Sequence, residues 1–385
     1  MKSENWKTVR LGDVCEFIGG GTPDKSNNSF WNGNIPWASV KDLKGNDLFE
    51  TQDFITELGL NNSSANMCKK GDLIVATRIA PGRSTVSQIE AAINQDLKIV
   101  KSEQCNSYLR YAFNYLEPVI VRKSTGATVL GINLANLKEL QIPLPPLETQ
   151  KHIAAVLDKC TVLIAKHKQM LAKYDTLIKS RFIEMFGDEQ VENGKWKVER
   201  LENVCTKITD GEHGSVSRTS NGFVFLNAKH IKQSGEIDWG TATYISEENH
   251  KKIYKRCNPQ HNDILLTTTG TIGNVAIVPD VKEFSMDRGI TLLKPQFSIL
   301  NPQFIASYLR MDKMQVIMNQ NVHASAIGHL FLNKVYSLQI PIPPLSLQND
   351  FAAFVQQIDK SRFTVQKSLH KTEILYKSLM QTYFG

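Results

Sequence analysis

The second half of this 385-residue chain repeats the first half. Three blocks recur in the same order at offsets of 190 to 198 residues: WKTVRLGDVC (6–15) with WKVERLENVC (196–205), GDLIVAT (71–77) with NDILLTT (262–268), and IPLPPL (142–147) with IPIPPL (340–345). Gln150 and Gln348 also correspond, a few residues beyond the last block. A repeat of this length is too long for a solenoid, so it predicts two whole domains, each with its own core.

Most of each repeat has the pattern of short strands. Apolar runs alternate with clusters of Gly, Asn, Ser and Pro, as in GDLIVAT (71–77), LQIPL (140–144), GFVFLNA (222–228) and NDILLTT (262–268). Such runs predict a loop-rich, mainly β domain. Helices are expected within it at residues 107–115 and 302–311.

Each repeat ends in a helical pattern. Pro145-Pro146 and Pro343-Pro344 can precede a helix but not lie inside one. Beyond them, apolar residues recur every seven positions, which predicts two long helices, the first ending near Gly187. Because each has an apolar face, we expect them to pair as an antiparallel coiled coil, through Leu157, Ile164, Leu171, Ile178, Ile358, Val365 and Leu379. A flanking stripe runs through Val156, Leu163, Met170 and Leu177.

Composition restricts the class of protein. No run of 18 apolar residues exists and the amino-terminal residues are polar, so no membrane span or signal peptide is expected and a cytoplasmic location is favoured. The net charge of +7 is weak support for a polyanionic partner. The six cysteines have no zinc or redox spacing, so we expect reduced, mostly buried thiols and no metal.

Catalytic motifs are missing from the sequence. We find no phosphate-binding G-x-x-x-x-G-K-[ST] loop, no Asn/Asp-Pro-Pro-aromatic motif of amino-methyltransferases, no G-x-S-x-G and no H-E-x-x-H. A loose nuclease-like match combines Pro23-Asp24 with Asp42-Leu43-Lys44, but Pro23-Asp24 lies in a glycine-rich loop and not on a strand, as a Mg²⁺-binding pair would require. The chain is therefore expected to be non-catalytic and to hold no cofactor.

The loops are rich in residues that can contact phosphates and base edges. In the first repeat these are Thr22, Lys25, Ser39, Lys41, Arg78, Arg83, Lys123, Ser124 and Thr128. In the second they are His213, Lys229, His230, Thr269, Thr271, Arg288, His323, Ser325 and His329. For any single residue an ordinary solvated loop is the more common explanation, so the set is a hypothesis for a DNA-binding surface.

The double-proline segments resemble a known family. IPLPPLETQKHIAAVLDK (142–159) and IPIPPLSLQNDFAAFVQQIDK (340–360) are similar to the conserved regions of the specificity subunits of type I restriction-modification systems. WKTVRLGDVCEFIGGGTP (6–23) and GDLIVATR (71–78) resemble that family's target-recognition domains. The second copy departs at Asn349-Asp350-Phe351 and Gln356, and residues 78–82 differ from the threonine- and glycine-rich loop kept at residues 269–273.

The resemblance implies an α+β chain with two target-recognition domains, each followed by a long helix. The domains would span residues 1–145 and 189–343, and the conserved-region helices 146–188 and 344–385. The chain would read a bipartite double-stranded DNA target, one half-site per domain. It would dock two methylation subunits, which bind S-adenosylmethionine, and restriction subunits, which use ATP and Mg²⁺; the complex would be a site-specific deoxyribonuclease and adenine-N6 methyltransferase.

Other functions stay open at this point. One alternative is the recognition subunit of a fused methylase-nuclease system, which has the same architecture. A self-contained nuclease is disfavoured by the missing motifs, and a pure protein scaffold would have loops that touch only protein. The target bases and the spacer length cannot be read from the sequence, because readout depends on loop geometry and on DNA deformation.

Overall fold

A computed structural model describes residues 6–187, 195–322 and 328–385. The chain divides into two compact units. Unit 1 comprises Met1–Lys168 and Lys367–Gly385, and unit 2 comprises Gln169–Gln366. Each unit therefore contains one repeat together with segments of both long helices.

The elements of unit 1 are short apart from two helices. The strands are β1 (Lys7–Arg10), β2 (Glu16–Gly19), β3 (Trp31–Ala38), β4 (Asp47–Leu48), β5 (Asp53–Ile55), β6 (Asn66–Cys68), β7 (Leu73–Ala76), β8 (Ser84–Ser87), β9 (Ala91–Ile93), β10 (Leu97–Lys101) and β11 (Gln141–Leu144). The helices are α1 (Leu11–Val14), α2 (Glu57–Asn61), α3 (Asn106–Lys123), α4 (Leu134–Lys138) and α5 (Leu147–Phe186), the last continuing into unit 2.

Two sheets form the body of unit 1. One has the strand order β2-β10-β7-β8-β4 and the other β5-β3-β9-β6, while β1 pairs with β11. Both β2 and β7 run antiparallel to β10. Strands β7 to β9 are buried at every position, which explains the continuous apolar sequences of β7 and β9, whereas β8 is buried although three of its four residues are Ser or Thr. Helix α3 packs against β7 and β8 and supplies the buried Tyr108, Tyr111 and Phe113.

Unit 2 repeats this plan. Its strands are β12 (Lys197–Arg200), β13 (Cys205–Asp210), β14 (Phe223–Leu226), β15 (Thr243–Ile245), β16 (Ile264–Thr267), β17 (Val275–Ile277), β18 (Ser285–Met286), β19 (Ile290–Pro295) and β20 (Gln339–Ile342). Its helices are α6 (Leu201–Val204), α7 (Glu247–Cys257), α8 (Pro302–Leu309), α9 (Asp312–Gln320), α10 (Leu332–Tyr336) and α11 (Leu345–Phe384), the last continuing into unit 1. The sheets have the orders β13-β19-β16-β17 and β15-β14-β18, and β12 pairs with β20.

The structure confirms the strands and helices that the sequence predicts. The runs GDLIVAT, NDILLTT, LQIPL and GFVFLNA contain β7, β16, β11 and β14. The helix expected at residues 107–115 lies within α3, and the one expected at residues 302–311 corresponds to α8, which ends two residues earlier at Leu309. The long helices follow the double prolines, and α5 ends at Phe186 before Gly187, whose φ of +91° is typical of a glycine after a helix.

Both long helices contribute to the core of each unit. In unit 1, Leu157 of α5 shares a buried cluster with Met380 and Phe384 of α11. In unit 2, Phe182 and Phe186 of α5 pack on Phe351 of α11, with ring centroids 5.3 and 5.6 Å apart. Early residues of one helix thus meet late residues of the other, as in antiparallel pairs, whereas a continuous coiled coil stays a prediction.

The proposed helix-pairing residues differ in burial. Leu157 is fully buried, and the others are half-buried: Ile164, Leu171, Ile178, Ile358, Val365 and Leu379. In the flanking stripe, Leu163, Met170 and Leu177 are 43–46% exposed. In the described part of the chain, no helix is long and apolar enough to cross a membrane.

A buried glutamine fixes the beginning of each long helix. Gln150 Oε1 accepts the backbone N–H of Cys105, the residue before α3, at 3.1 Å, and its Nε2 donates to the Pro145 carbonyl at 2.9 Å. In unit 2, Gln348 Oε1 accepts the N–H of Asn301, the residue before α8, at 2.8 Å, and Nε2 donates to the Pro343 carbonyl at 2.8 Å. The conserved spacing between prolines and glutamine in the two repeats is therefore a joint between the long helix and the sheet domain.

Candidate nucleic-acid interface

Four loops of unit 1 meet at one edge of its larger sheet. Loop A (residues 20–25) follows β2, loop B (77–82) follows β7, loop C (94–96) precedes β10, and loop D (124–131) follows α3. The antiparallel register brings the first three together, because Leu97 and Lys98 of β10 lie opposite Ala76 of β7 and Gly19 of β2.

Backbone hydrogen bonds join these loops. The N–H of Gly21 donates to the carbonyl of Ile93 at 3.0 Å, and the N–H of Thr77 donates to Asp96 in loop C at 2.8 Å. The N–H of Ile79 donates to Leu130 in loop D at 2.9 Å. The loop edge of unit 1 is therefore a connected surface that the sheet holds in place.

Unit 2 has an equivalent edge. Loop A′ (residues 211–216), loop B′ (268–273), loop C′ (287–289) and loop D′, of which residues 328–329 are described, occupy the corresponding places. The N–H of Thr268 donates to Gly289 at 2.9 Å and that of Gly270 to Gly328 at 3.3 Å. These bonds match those of Thr77 and Ile79, so the same backbone frame is present in both units.

Two glycines allow loops A and A′ to approach the sheet. A Cβ on Gly20 would lie 2.2 Å from the Asn94 carbonyl oxygen, and one on Gly211 would lie 2.2 Å from that of Met286. Because real Cβ atoms do not come so close to backbone atoms, only glycine fits either position. Packing therefore explains why both repeats have a glycine at this position.

The loop edge of unit 1 carries a positive charge that a buried carboxylate holds in place. The Arg78 side chain is 51% exposed, and its Nη1 lies 3.3 Å from Oδ1 of the buried Asp96. Lys98 donates from Nζ to the Gln95 carbonyl at 3.1 Å, and burial lowers the pKa of this lysine, with Asp96 opposing and Arg78 reinforcing the shift. A held guanidinium with free donors is suited to a guanine edge or a phosphate.

The loop edge of unit 2 presents different groups on the same frame. Thr269 corresponds to Arg78, and its Oγ1 lies 2.6 Å from Nδ1 of His329. Burial lowers the pKa of His329, and the charge of Arg288 lowers it further, so the neutral imidazole is favoured. In loop A′, His213 Nε2 lies 2.7 Å from Asp210, which also pairs with Arg256.

The remaining predicted residues of unit 1, apart from Lys41, lie in the four loops or next to them. Lys25, Arg83, Lys123 and Thr128 are exposed, and Ser124 is half-buried with its Oγ donating to the Ile120 carbonyl at 2.8 Å. Thr22, also half-buried, donates to Oε1 of Gln95. Lys41 is paired with Asp53 at 2.7 Å, on the smaller sheet. Their contact with DNA stays a prediction.

Two predicted residues, Ser39 and His230, are enclosed in the fold. Ser39 is 8% exposed and bonds Asp42 in a capping box, and His230 is 0% exposed and accepts the N–H of Asn227 at Nδ1 in the equivalent turn. Both side chains take part in capping 3₁₀ turns, and their contact with DNA stays a prediction. From sequence alone, a short polar segment that caps a turn cannot be told from one in a DNA-reading loop.

Other residues of unit 2 divide in the same way. Lys229, Thr271, Arg288 and His213 are exposed, whereas Thr269 and His329 are half-buried. His323 and Ser325 lie outside the described residues. Lys98 and Arg256 were not predicted from the sequence, because Lys98 lies inside the strand LKIVK and Arg256 lies at the end of α7.

The nuclease-like match is part of the framework. Asp42 is 7% exposed, and its carboxylate accepts the N–H groups of Ser39 and Gln52 at 2.8 and 3.0 Å. Asp24 is exposed and accepts from Ser26. Within residues 6–187, 195–322 and 328–385, no group of three His, Cys, Asp or Glu side chains is placed to hold a metal ion.

The chain is similar to solved structures over nearly its whole length. A type I restriction-modification S subunit from M. genitalium matches with a TM-score of 0.64 at 15% identity, covering 99% of this chain and 96% of that one. A chain from a study of complex assembly and conformational transition of the type I restriction-modification system matches with a TM-score of 0.57 at 16% identity, covering 99% and 98%. These likenesses establish the fold.

The chain is also similar in sequence to type I specificity subunits. The type I restriction enzyme MjaIX specificity subunit of Methanocaldococcus jannaschii is 25% identical over 401 residues, covering 95% of this chain and 89% of that protein. The EcoR124I/EcoR124II specificity subunit of Escherichia coli is 31% identical over 170 residues, 41% of each chain. Specificity subunits are non-catalytic, so the prediction that this chain is not an enzyme is confirmed. The alternative of a fused methylase-nuclease system is not favoured.

The family profile matches the chain twice. The family described as type I restriction modification DNA specificity domain matches residues 3–173 and again residues 193–374. These two matches cover both repeats, and each contains one of the loop edges described above. The chain therefore belongs to the family of type I restriction-modification DNA specificity subunits.

Proposed function

We propose that this chain reads a bipartite DNA target, with one half-site bound by the loop edge of each unit. The observation that carries the proposal is the repeated backbone frame with exchanged side chains. Loop B has Arg78 where loop B′ has Thr269, and loop C has Gln95 and Asp96 where loop C′ has Arg288 and Gly289. One frame with two sets of hydrogen-bonding groups is suited to reading two different base sequences.

The long helices would dock the partner subunits. Leu163, Met170 and Leu177 of α5 are exposed along one stripe, and Phe363 of α11 is 68% exposed. Exposed apolar side chains in a helix favour contact with protein. We propose two methylation subunits, which would bind S-adenosylmethionine, and restriction subunits, which would use ATP and Mg²⁺. A cytoplasmic location belongs to this proposal.

Methylation mapping tests the proposal. The chain is produced with the methylation subunits from its own source in a host that lacks adenine methylation, and N6-methyladenine is mapped across the genome. We expect one motif in two parts, separated by bases of any identity. The purified chain alone, given labelled S-adenosylmethionine or Mg²⁺ and ATP, should neither methylate nor cut DNA. A continuous one-part motif, or turnover by the isolated chain, would contradict the proposal.

A further inference from the structure

Ile79 in loop B has a backbone conformation that β-branched residues rarely adopt. Its φ is +68°, and the N–H of Ala80 donates to the carbonyl of Arg78 at 2.7 Å across it, which makes it the centre of a tight three-residue turn. Turns of this kind with positive φ are rare and strained. The other non-glycine residues with positive φ in the described part of the chain are Asn32, Asn258 and Asn262, and asparagine tolerates this region.

The hydrogen bonds of the loop explain the positive φ at position 79, but they do not explain why the residue there is isoleucine. The Ile79 N–H is bonded to Leu130, and Gly82 N–H closes the loop on the Ala76 carbonyl at 2.9 Å. The equivalent residue of unit 2 is Gly270, with a φ of +75°. Glycine meets the same backbone requirement there without strain.

Burial of the Ile79 side chain in the core does not offset this strain. It is 58% exposed and belongs to none of the buried clusters of unit 1. Its neighbour Arg78 points into the same edge and is held by Asp96. A strained, exposed, apolar residue beside a candidate base-reading arginine suggests a role toward a ligand.

We propose that Ile79 is a specificity-determining residue that makes an apolar contact with a base of the half-site read by unit 1. This inference rests on the proposed function. Bases offer two apolar partners: the C5-methyl group of thymine in the major groove, and the face of a base at an unstacked step. Because the turn is already ordered by hydrogen bonds, little conformational freedom would be lost when the contact forms.

Two substitutions separate this role from a structural one. Ile79→Asn keeps a side chain but removes its apolar surface and relieves the turn, while Ile79→Val keeps both the strain and the apolar surface. We expect Ile79→Asn to raise the melting temperature of the full chain by about 2–6 °C and to weaken binding to the target about tenfold. Ile79→Val should bind within about fourfold of the unsubstituted chain.

The target is obtained by selection of duplexes from a random-sequence library with the full chain. Affinity and base preference are then measured for each variant on the selected duplex. Phe297→Ala serves as the matched control, because Phe297 is 51% exposed and follows β19 at the end opposite to loop C′. Replacing each thymine of the half-site by uracil identifies a methyl contact, and fluorescence of 2-aminopurine at each step identifies an unstacked base.

The outcomes separate the inference from the proposed function. If selection returns no enriched sequence, the proposed function fails. If it returns a two-part target that Ile79→Asn binds with unchanged affinity and preference, only the role of Ile79 is overturned. A lower melting temperature for Ile79→Asn, or equal weakening by Asn and Val, would also overturn it, since either result would assign Ile79 to the fold of the loop.

Discussion

Replacing Gln150 by alanine should destabilise unit 1 far more than an ordinary glutamine substitution. Gln150 is fully buried, and its side-chain amide bonds the N–H of Cys105 and the carbonyl of Pro145. It also donates to Oε1 of Gln104 at 2.8 Å. The amide thus ties the first turn of α5 to the beginning of α3 and to the double proline.

The magnitude follows from the groups that lose their partner. Alanine would leave a backbone N–H and a backbone carbonyl unsatisfied, and each buried unsatisfied group costs about 1–3 kcal/mol. We therefore expect a loss of about 3 kcal/mol in the free energy of unfolding, which lowers the melting temperature of a unit of this size by about 6–12 °C. Gln348→Ala should have a similar effect in unit 2, because Asn301 and Pro343 lose the same kind of bonds.

Thermal unfolding by calorimetry and urea titration would measure both effects. Gln169→Ala is the matched control, because Gln169 is exposed on α5, and it should change stability by less than about 0.5 kcal/mol. Gln150→Glu should be at least as damaging as alanine, since it buries a carboxylate against the Pro145 carbonyl. A loss for Gln150→Ala that equals the loss for Gln169→Ala would refute the view that this amide holds the joint.

Four further predictions concern recognition, spacing and the thiols. Arg78→Ala should cost about 1–3 kcal/mol on the selected target and relax one position if Arg78 reads a base, but weaken all sequences equally if it touches phosphate; no effect in a binding titration would place it outside the interface. Exchanging residues 1–140 for those of a relative should change one half of the methylated motif, and a change in both halves would mean joint reading. Inserting four residues after Leu171 adds about 6 Å of helix and should lengthen the unread spacer by one or two base pairs. Inserting two residues instead rotates the apolar seam beyond them by about 200° and should damage folding. An unchanged spacer in an active four-residue variant would contradict the view that helix length sets the spacer. Burial raises the pKa of Cys205 to about 12. The neutral thiol therefore stabilises the fold below the unfolded pKa of about 8.5, and this contribution is lost as pH rises toward 12. Labelling of the native protein by a maleimide at pH 8 should be slow at Cys205, and rapid labelling would contradict its burial.

The candidate interface could be predicted from sequence only in outline. Arg78 and Thr269 directly follow blocks that the repeat marks as equivalent, and Gly20 lies five residues beyond another. Local sequence, however, does not tell an exposed loop residue from one that caps a turn. Ser39 and His230 were therefore chosen for their chemistry, although each is enclosed by long-range packing. Lys98 was missed for the converse reason, because its strand looks like core.

What the sequence determined by itself is the plan of the chain: two repeated domains, short strands, two long helices that begin after double prolines, and a family signature. These features depend on periodicity and on local backbone chemistry, and both are determined by residues that are neighbours in the sequence. Only the tertiary structure decided which strand ends share an edge, why Gln150 and Gln348 recur, and that Ile79 stands strained and exposed beside Arg78. Those facts arise from antiparallel register and from bonds between residues far apart in the chain, which no local pattern encodes.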